Sequence, residues 1–415
     1  MTPRHVVVIG AGVIGTACAH YLRRAGVEVT LLDRDTVGNA CSRGNCGFIC
    51  PSHVLPLAGP GVLAKTIPLL FRRDSPLLIR WRLDPALLSW MWRFALRCNR
   101  RDMLSSAHGI AALLNSSRSL YDQLFASEPL AAEWEKRGLL FVFRTPSEFD
   151  HYAHADELLR TQFAMPARRY ESKELGDLEP ALLPGLAGAY HYELDAHLRP
   201  DRLLASWRDL LLARGVQVRE HCELTGFDLE GRRVRAVRTN LGDIPADAAI
   251  VATGAWTPLL SKFTRCPVPI QPGKGYSITM ARPTRCPRIP LIFEEDRVAV
   301  TPMQSGYRIG STMEFAGYDT SLDPRRLDLL RKTARRYLHE PEAEPVEERW
   351  YGWRPMTPDG KPVIGISPGL DNVLVAAGHG MLGLSMAPAT GKLAAEMLTG
   401  APPHLSPAPY AATRF

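Results

Sequence analysis

Three groups of residues in this chain have types and spacing suited to chemistry. The first is Gly10-Ala-Gly12-Val-Ile-Gly15, followed by Asp33. Gly10 permits a tight turn, Gly12 lets the backbone approach a pyrophosphate, and Gly15 allows the next helix to pack closely on the preceding strand. The helix N-terminus then offers free N–H groups and partial positive charge to phosphates. Asp33, with Arg34 beside it, lies where ribose hydroxyls are received. The pattern binds a dinucleotide without separating NAD from FAD. The second group centres on Arg354, in Trp353-Arg-Pro-Met-Thr-Pro-Asp-Gly360. A planar guanidinium grips a carboxylate through two parallel hydrogen bonds, fixing distance and angle together. The competing reading is a structural salt bridge, with Asp359 as the nearest partner. The third group is less specific. Tyr276 either bonds a substrate or packs within its strand, and His53 either faces the cofactor or is solvated.

The elements that must position these residues follow from hydrophobic patterning. His5-Val-Val-Val-Ile9 reads as a buried parallel strand, and an amphipathic stretch runs from the glycine turn to Ala25-Gly26. A second strand, Glu28 to Asp33, completes the unit. Ala248 to Val251 is another buried strand, running into Thr253-Gly254. Asn372 to Gly378 repeats that pattern, and Leu384 to Leu398 reads as a helix with Pro388 near its start, where proline is tolerated. Between these lie short strands at 138–144, 277–280, 297–301 and 307–310, which predict an antiparallel sheet. Helices are expected over 151–165, 201–214 and 324–338. No internal repeat or low-complexity linker divides the chain, so two interleaved domains are expected.

Several motifs act together: the N-terminal fingerprint, Asn45-Cys-Gly47, Gly273-Lys-Gly-Tyr-Ser277, the Arg354 segment, and Gly378-His-Gly-Met-Leu-Gly383. With them the chain resembles the D-amino-acid oxidase superfamily of FAD proteins over nearly its whole length, nearest to the bacterial D-amino-acid dehydrogenase small-subunit type. The resemblance implies an α/β fold: a Rossmann-like FAD-binding domain (1–50, 196–262 and 346–415) interleaved with an α+β substrate domain built on an antiparallel sheet (51–195 and 263–345). It implies noncovalent FAD, because Gly352 stands near where tethering relatives carry a cysteine. The ADP half would lie on Gly10, Gly12, Gly15, Asp33 and Arg34, with backbone near Leu224 at the adenine and Thr253-Gly254 alongside. The isoalloxazine would lie beneath Ser42, Asn45, Cys46 and Gly47 and against Gly378, His379, Gly380, Met381, Leu382 and Gly383. A helix N-terminus aimed at the ring favours the negative charge that develops on reduction.

The resemblance further implies that Arg354 binds a substrate carboxylate while hydride passes from Cα to flavin N5. The imino acid released hydrolyses to a 2-oxo acid and ammonium, and a quinone or other acceptor takes the electrons. Met381 and Ala299 stand where glycine-oxidase-type relatives carry an arginine and a tyrosine. An apolar side-chain pocket is therefore expected, suited to medium apolar or proline-like D-amino acids. Alternatives are a D-proline or hydroxyproline dehydrogenase, an oxygen-using oxidase, and a flavoprotein subunit of a larger complex.

Composition narrows the classes. At 415 residues, with 46% hydrophobic and 22% charged residues, the chain is an ordinary folded protein rather than a disordered or fibrous one. A net charge of +7 is mild for a chain of this length, and a dedicated nucleic-acid binder would concentrate more basic charge with interleaved aromatics. The eight cysteines lack zinc spacing, although Cys41, Cys46 and Cys50 cluster. Reduced thiols in the cytoplasm are the expectation, with neither a signal peptide nor a spanning segment. Segment 62–100 stands apart, with eight Lys and Arg against two Asp, interspersed with Leu, Phe and Trp. It fits either a peripheral contact with the inner face of an anionic membrane or apolar packing against the flavin domain beneath a solvated basic face.

Overall fold

The computed structural model describes residues 2–66, 75, 77–80 and 82–415. The expected apolar run Ile67–Phe71 and the charges at Arg72, Arg73 and Asp74 lie outside the described residues. Two sheets organise the molecule. The first has six strands in the spatial order Val363–Ile366, Val373–Ala377, Ala248–Val251, His5–Ile9, Glu28–Leu32 and Gln217–Arg219. Its central strands pair in parallel, Val6 opposite Ala248 and Val29, so both faces must be covered. Helices Val13–Arg24 and Gly383–Thr399 pack side by side over one face. Two glycines make the first turn possible. Gly10 sits at φ +99°, and a Cβ on Gly15 would fall 1.7 Å from the Gly10 carbonyl oxygen.

The second sheet is mostly antiparallel and nine-stranded. Gln271–Met280 lies between Val346–Met356 and Gly306–Phe315, and Val298–Met303, Leu291–Phe293, Leu139–Phe143, Gly188–Tyr192 and Arg168–Glu171 follow outward. One face packs on helix Pro324–Ala334 through Tyr276, Ile278, Ile309 and Leu330. The expected α/β architecture, a parallel sheet interleaved with an antiparallel one, is the observed one.

Two expectations shift. The boundary at residue 346 falls too early: Val346–Met356 pairs along its length with Gln271–Met280, so the chain rejoins the parallel sheet only at Val363. Sequence could not reveal this, since the pairing spans about seventy residues. The second concerns residues 85–97. They form a helix whose Leu87 and Trp90 pack on Met313, Phe315 and Met356 of the antiparallel sheet, not on the parallel sheet. Its other face leaves Leu88, Trp92 and Leu96 exposed.

Candidate functional site

A cleft of about 440 Å³ runs from the ends of the parallel strands to the edge of the antiparallel sheet. At one end Asp33 lines it. Its Oδ2 accepts from the Ala11 amide at 2.7 Å and its Oδ1 from the Asp35 amide at 3.0 Å, which ties the second strand to the glycine turn. Burial raises the Asp33 pKa against the pull of these amides. Arg34 stacks over the Trp256 ring at 4.4 Å, and Leu224, Thr253 and Gly254 complete this end. Gly12 caps helix Val13–Arg24 with no side-chain hydrogen bond, and the Ser42 hydroxyl takes the Val13 amide at 3.1 Å.

At the other end stand Asn45, Tyr351, Trp353, Arg354, His379, Gly380, Met381 and Gly383. Helix Gly383–Thr399 begins here, and its N-cap Leu382 has no side-chain oxygen to give. Two helices thus aim first-turn amides, uncapped by their own side chains, into one cleft. That is a cradle for an elongated anionic group with a second electron-rich end, and FAD fits it. Gly15, Cys46, Gly47, Gly378 and Leu382 lie behind the lining, where they shape the turns that carry it.

Arg354 is partly exposed in the cleft. Its Nη1 donates to the Thr312 carbonyl at 2.6 Å, and no carboxylate pairs with it among the described residues. Asp359 is engaged elsewhere, with Arg414 at 2.9 Å and Lys361 at 3.7 Å. Burial lowers the Arg354 pKa from its ordinary value. The room it occupies is provided by Gly275, where a Cβ would fall 2.4 Å from the guanidinium. The accepting carbonyl is held by a bulge: Ser311 and Thr312 adopt φ +113° and +56°, the latter costly for a β-branched residue. A recessed, partly exposed guanidinium with most of its N–H groups free beside the cleft is chemically suited to holding an anion.

Two predicted site residues are not brought to the cleft. Side chains alternate along Gln271–Met280: Gly275 and Ser277 face the cleft side, and Tyr276 faces helix Pro324–Ala334. The Tyr276 hydroxyl donates to Glu314 Oε2 at 2.6 Å, and the residue is 1% exposed. His53 packs its ring 5.3 Å from Phe141, and burial lowers its pKa to about 4, so it is neutral and not part of the lining. His379 does line the cleft, with Nε2 against Thr390 Oγ1 at 3.0 Å and its pKa lowered by burial to about 3. The clustered thiols are free. Cys41 donates to the Trp353 carbonyl and is pushed up by burial to about 12, and Cys50 contacts Ser385 at 3.5 Å. Sequence reasoning passed over Trp256, Tyr351 and Trp353, and also Arg308, a charge set inside an apolar strand pattern that was itself the available signal.

Comparison with known proteins agrees with this geometry. The model of the FAD dependent oxidoreductase (DAO) family matches residues 5–397. D-amino acid dehydrogenase of Paramagnetospirillum magneticum is 35% identical over 408 residues, covering 97% of this chain and 96% of that protein. The protein of that name from Xanthobacter autotrophicus is 33% identical, covering 99% of each. Among solved structures, glycine oxidase from Geobacillus kaustophilus superposes with a TM-score of 0.80 at 20% identity, covering 100% of this chain and 99% of that one. L-proline dehydrogenase from P. horikoshii gives 0.74 at 20%, covering 100% and 98%. A glycine-cradled dinucleotide cleft, two helix N-termini aimed into it and a full-length family match thus place the chain in the FAD dependent oxidoreductase family, with FAD as its cofactor.

Proposed function

We propose that the protein is an FAD-dependent D-amino-acid dehydrogenase, which converts D-amino acids to 2-oxo acids and ammonium and passes the electrons to a quinone or another acceptor. The observation that carries this reading is Arg354, a recessed guanidinium without a carboxylate partner among the described residues, set in the FAD cleft of a chain whose full-length relatives bear that name. FAD, when bound, supplies a two-electron acceptor that takes hydride from the substrate Cα.

The chain's own residues do the rest. Arg354 holds the substrate carboxylate and so fixes the orientation of Cα. The uncapped amides of helix Gly383–Thr399 favour negative charge gathering at their end of the cleft. The acidic side chains of the lining, Asp33, Asp35 and Glu223, all belong to the nucleotide end. His379 stays neutral near pH 7. The substrate amine therefore arrives deprotonated from solvent, without a protein base. Anaerobic titration tests the reading: D-amino acids are expected to bleach the flavin spectrum while their L-enantiomers do not. Bleaching by L-enantiomers alone, or by neither, would reject it.

The acceptor half of the proposal draws on helix Pro85–Arg97. Leu88, Trp92 and Leu96 recur at four-residue spacing on its exposed face, with Leu83 beside them and Arg93, Arg97, Arg100 and Arg101 also exposed. An apolar stripe bordered by guanidiniums suits shallow insertion among anionic headgroups, where a lipid-soluble quinone is at hand. No helix among the described residues is long and apolar enough to cross a membrane. We place the protein in the cytoplasm, where its free cysteines stay reduced, against the inner face of the membrane.

A further inference from the structure

The loop after the second strand has four consecutive carbonyls, and each is held by a side chain from one face of the antiparallel sheet. Arg308 Nη1 donates to the Arg43 carbonyl at 3.0 Å and to the Asn45 carbonyl at 2.6 Å. Ser277 Oγ donates to the Gly44 carbonyl at 2.9 Å, and Thr301 Oγ1 to the Cys46 carbonyl at 2.5 Å. Thr279 Oγ1 accepts from Arg308 Nε at 2.8 Å and fixes the guanidinium's plane.

In a trans peptide the N–H points opposite to the preceding carbonyl. Pinning these carbonyls to the sheet therefore turns the next four amides away from it. The amides of Asn45 and Gly47 are taken by the Ser42 carbonyl and the Asn45 Oδ1. Those of Gly44 and Cys46 have no acceptor among the described residues, and Ser42 and Asn45 of the same loop line the cleft.

Loop anchoring alone does not account for Arg308. It is 1% exposed, and its closest carboxylates, Asp201 and Glu348, stand at 3.7 and 3.8 Å, beyond hydrogen-bond length. Even with these two ion pairs, burying a guanidinium carries a desolvation cost that a neutral donor fastening the loop would avoid. Its charge acts through the peptide groups it bonds, polarising their amides towards whatever lies beyond them.

We propose that Arg308 is a positioning residue for the flavin: it sets residues 43–46 so that their amides, backed by its buried charge, grip the ring and raise its reduction potential. The proposal rests on FAD binding, not on the identity of the amino acid oxidised. Its test uses holoenzyme without any amino acid, so its failure is distinguishable from failure of the substrate reading. Losing one charge-assisted contact predicts that Arg308→Met raises the FAD dissociation constant about tenfold. The midpoint potential should fall as well. Arg308→Lys, which keeps the charge and reaches one carbonyl, should recover the potential more fully than the affinity. Ser277→Ala with Thr301→Val should weaken FAD binding and leave the potential unchanged. An Arg308→Met holoenzyme with wild-type FAD affinity and potential would overturn the proposal, whatever its thermal stability. Should that variant not fold, the Ser277→Ala/Thr301→Val pair decides, and unchanged FAD affinity in it overturns the proposal.

Discussion

Replacing Arg354 with methionine separates binding from folding, because the two respond with opposite signs. In the ligand-free protein the guanidinium has one protein acceptor, the Thr312 carbonyl, and no counter-charge among the described residues. Removing it loses a charge-assisted hydrogen bond worth about 1.5 to 3 kcal/mol. It also removes a desolvated cation, whose effective penalty is several kcal/mol. Thermal stability of Arg354→Met holoenzyme should therefore hold or rise. With a carboxylate substrate the balance reverses. Truncating one partner of a buried, hydrogen-bonded charge pair costs about 2 to 5 kcal/mol. That corresponds to a fall in kcat/KM of about 30-fold to 5,000-fold. Arg354→Lys retains the charge without the planar fork and should fall between. The assay is anaerobic flavin reduction against D-amino-acid concentration, with differential scanning fluorimetry alongside. An Arg354→Met enzyme within about threefold of wild type would refute the reasoning. So would a loss of activity matched by equal losses of FAD and stability, which would make Arg354 a structural residue.

Three other perturbations have defined outcomes. Gly12→Val places a side chain at the mouth of the nucleotide cleft, where an added Cβ would lie 3.4 Å from Ser42 Oγ, and the purified variant should be colourless; a yellow, FAD-saturated protein would contradict the placement. Asp195 is fully buried against Ser52, with a 2.6 Å bond to its hydroxyl, and burial raises its pKa from 3.8 to about 7. A carboxyl whose folded pKa is raised contributes no penalty below the unfolded value and a growing one as pH climbs towards about 7, reaching about 4 kcal/mol. Asp195→Asn should therefore flatten the decline in melting temperature between pH 5 and 8, and an unaltered pH profile would dismiss the assignment. Trp92→Ser with Leu96→Ser should reduce cosedimentation with phosphatidylglycerol vesicles while leaving activity towards a soluble dye intact. Equal binding by both proteins would remove this helix from the interface.

The dinucleotide unit was legible because its parts are local: glycine spacing, a β-branched run and a terminal acid within some thirty residues. Arg354 was legible as a type, a guanidinium beside a proline turn, although its lack of a carboxylate partner among the described residues was not. Tyr276 misled because a strand's period of two says which residues share a face and not which face meets the ligand. Arg308 escaped because its role depends on carbonyls more than 260 residues away. The early boundary at 346 failed for the same reason, since strand pairing is non-local.

The spatial order of the parallel sheet departs from the order in which its strands are synthesised. The first strand emerges early, but its neighbour Ala248–Val251 follows only after most of the antiparallel sheet's outer strands, and Val373–Ala377 later still. Until then the glycine turn sits on a strand with a bare edge, open to wrong partners. The cleft's lining is complete only once residues 376–384 have been made, so a chain stalled before residue 373 would carry the nucleotide-binding fingerprint without the ring end of its cleft.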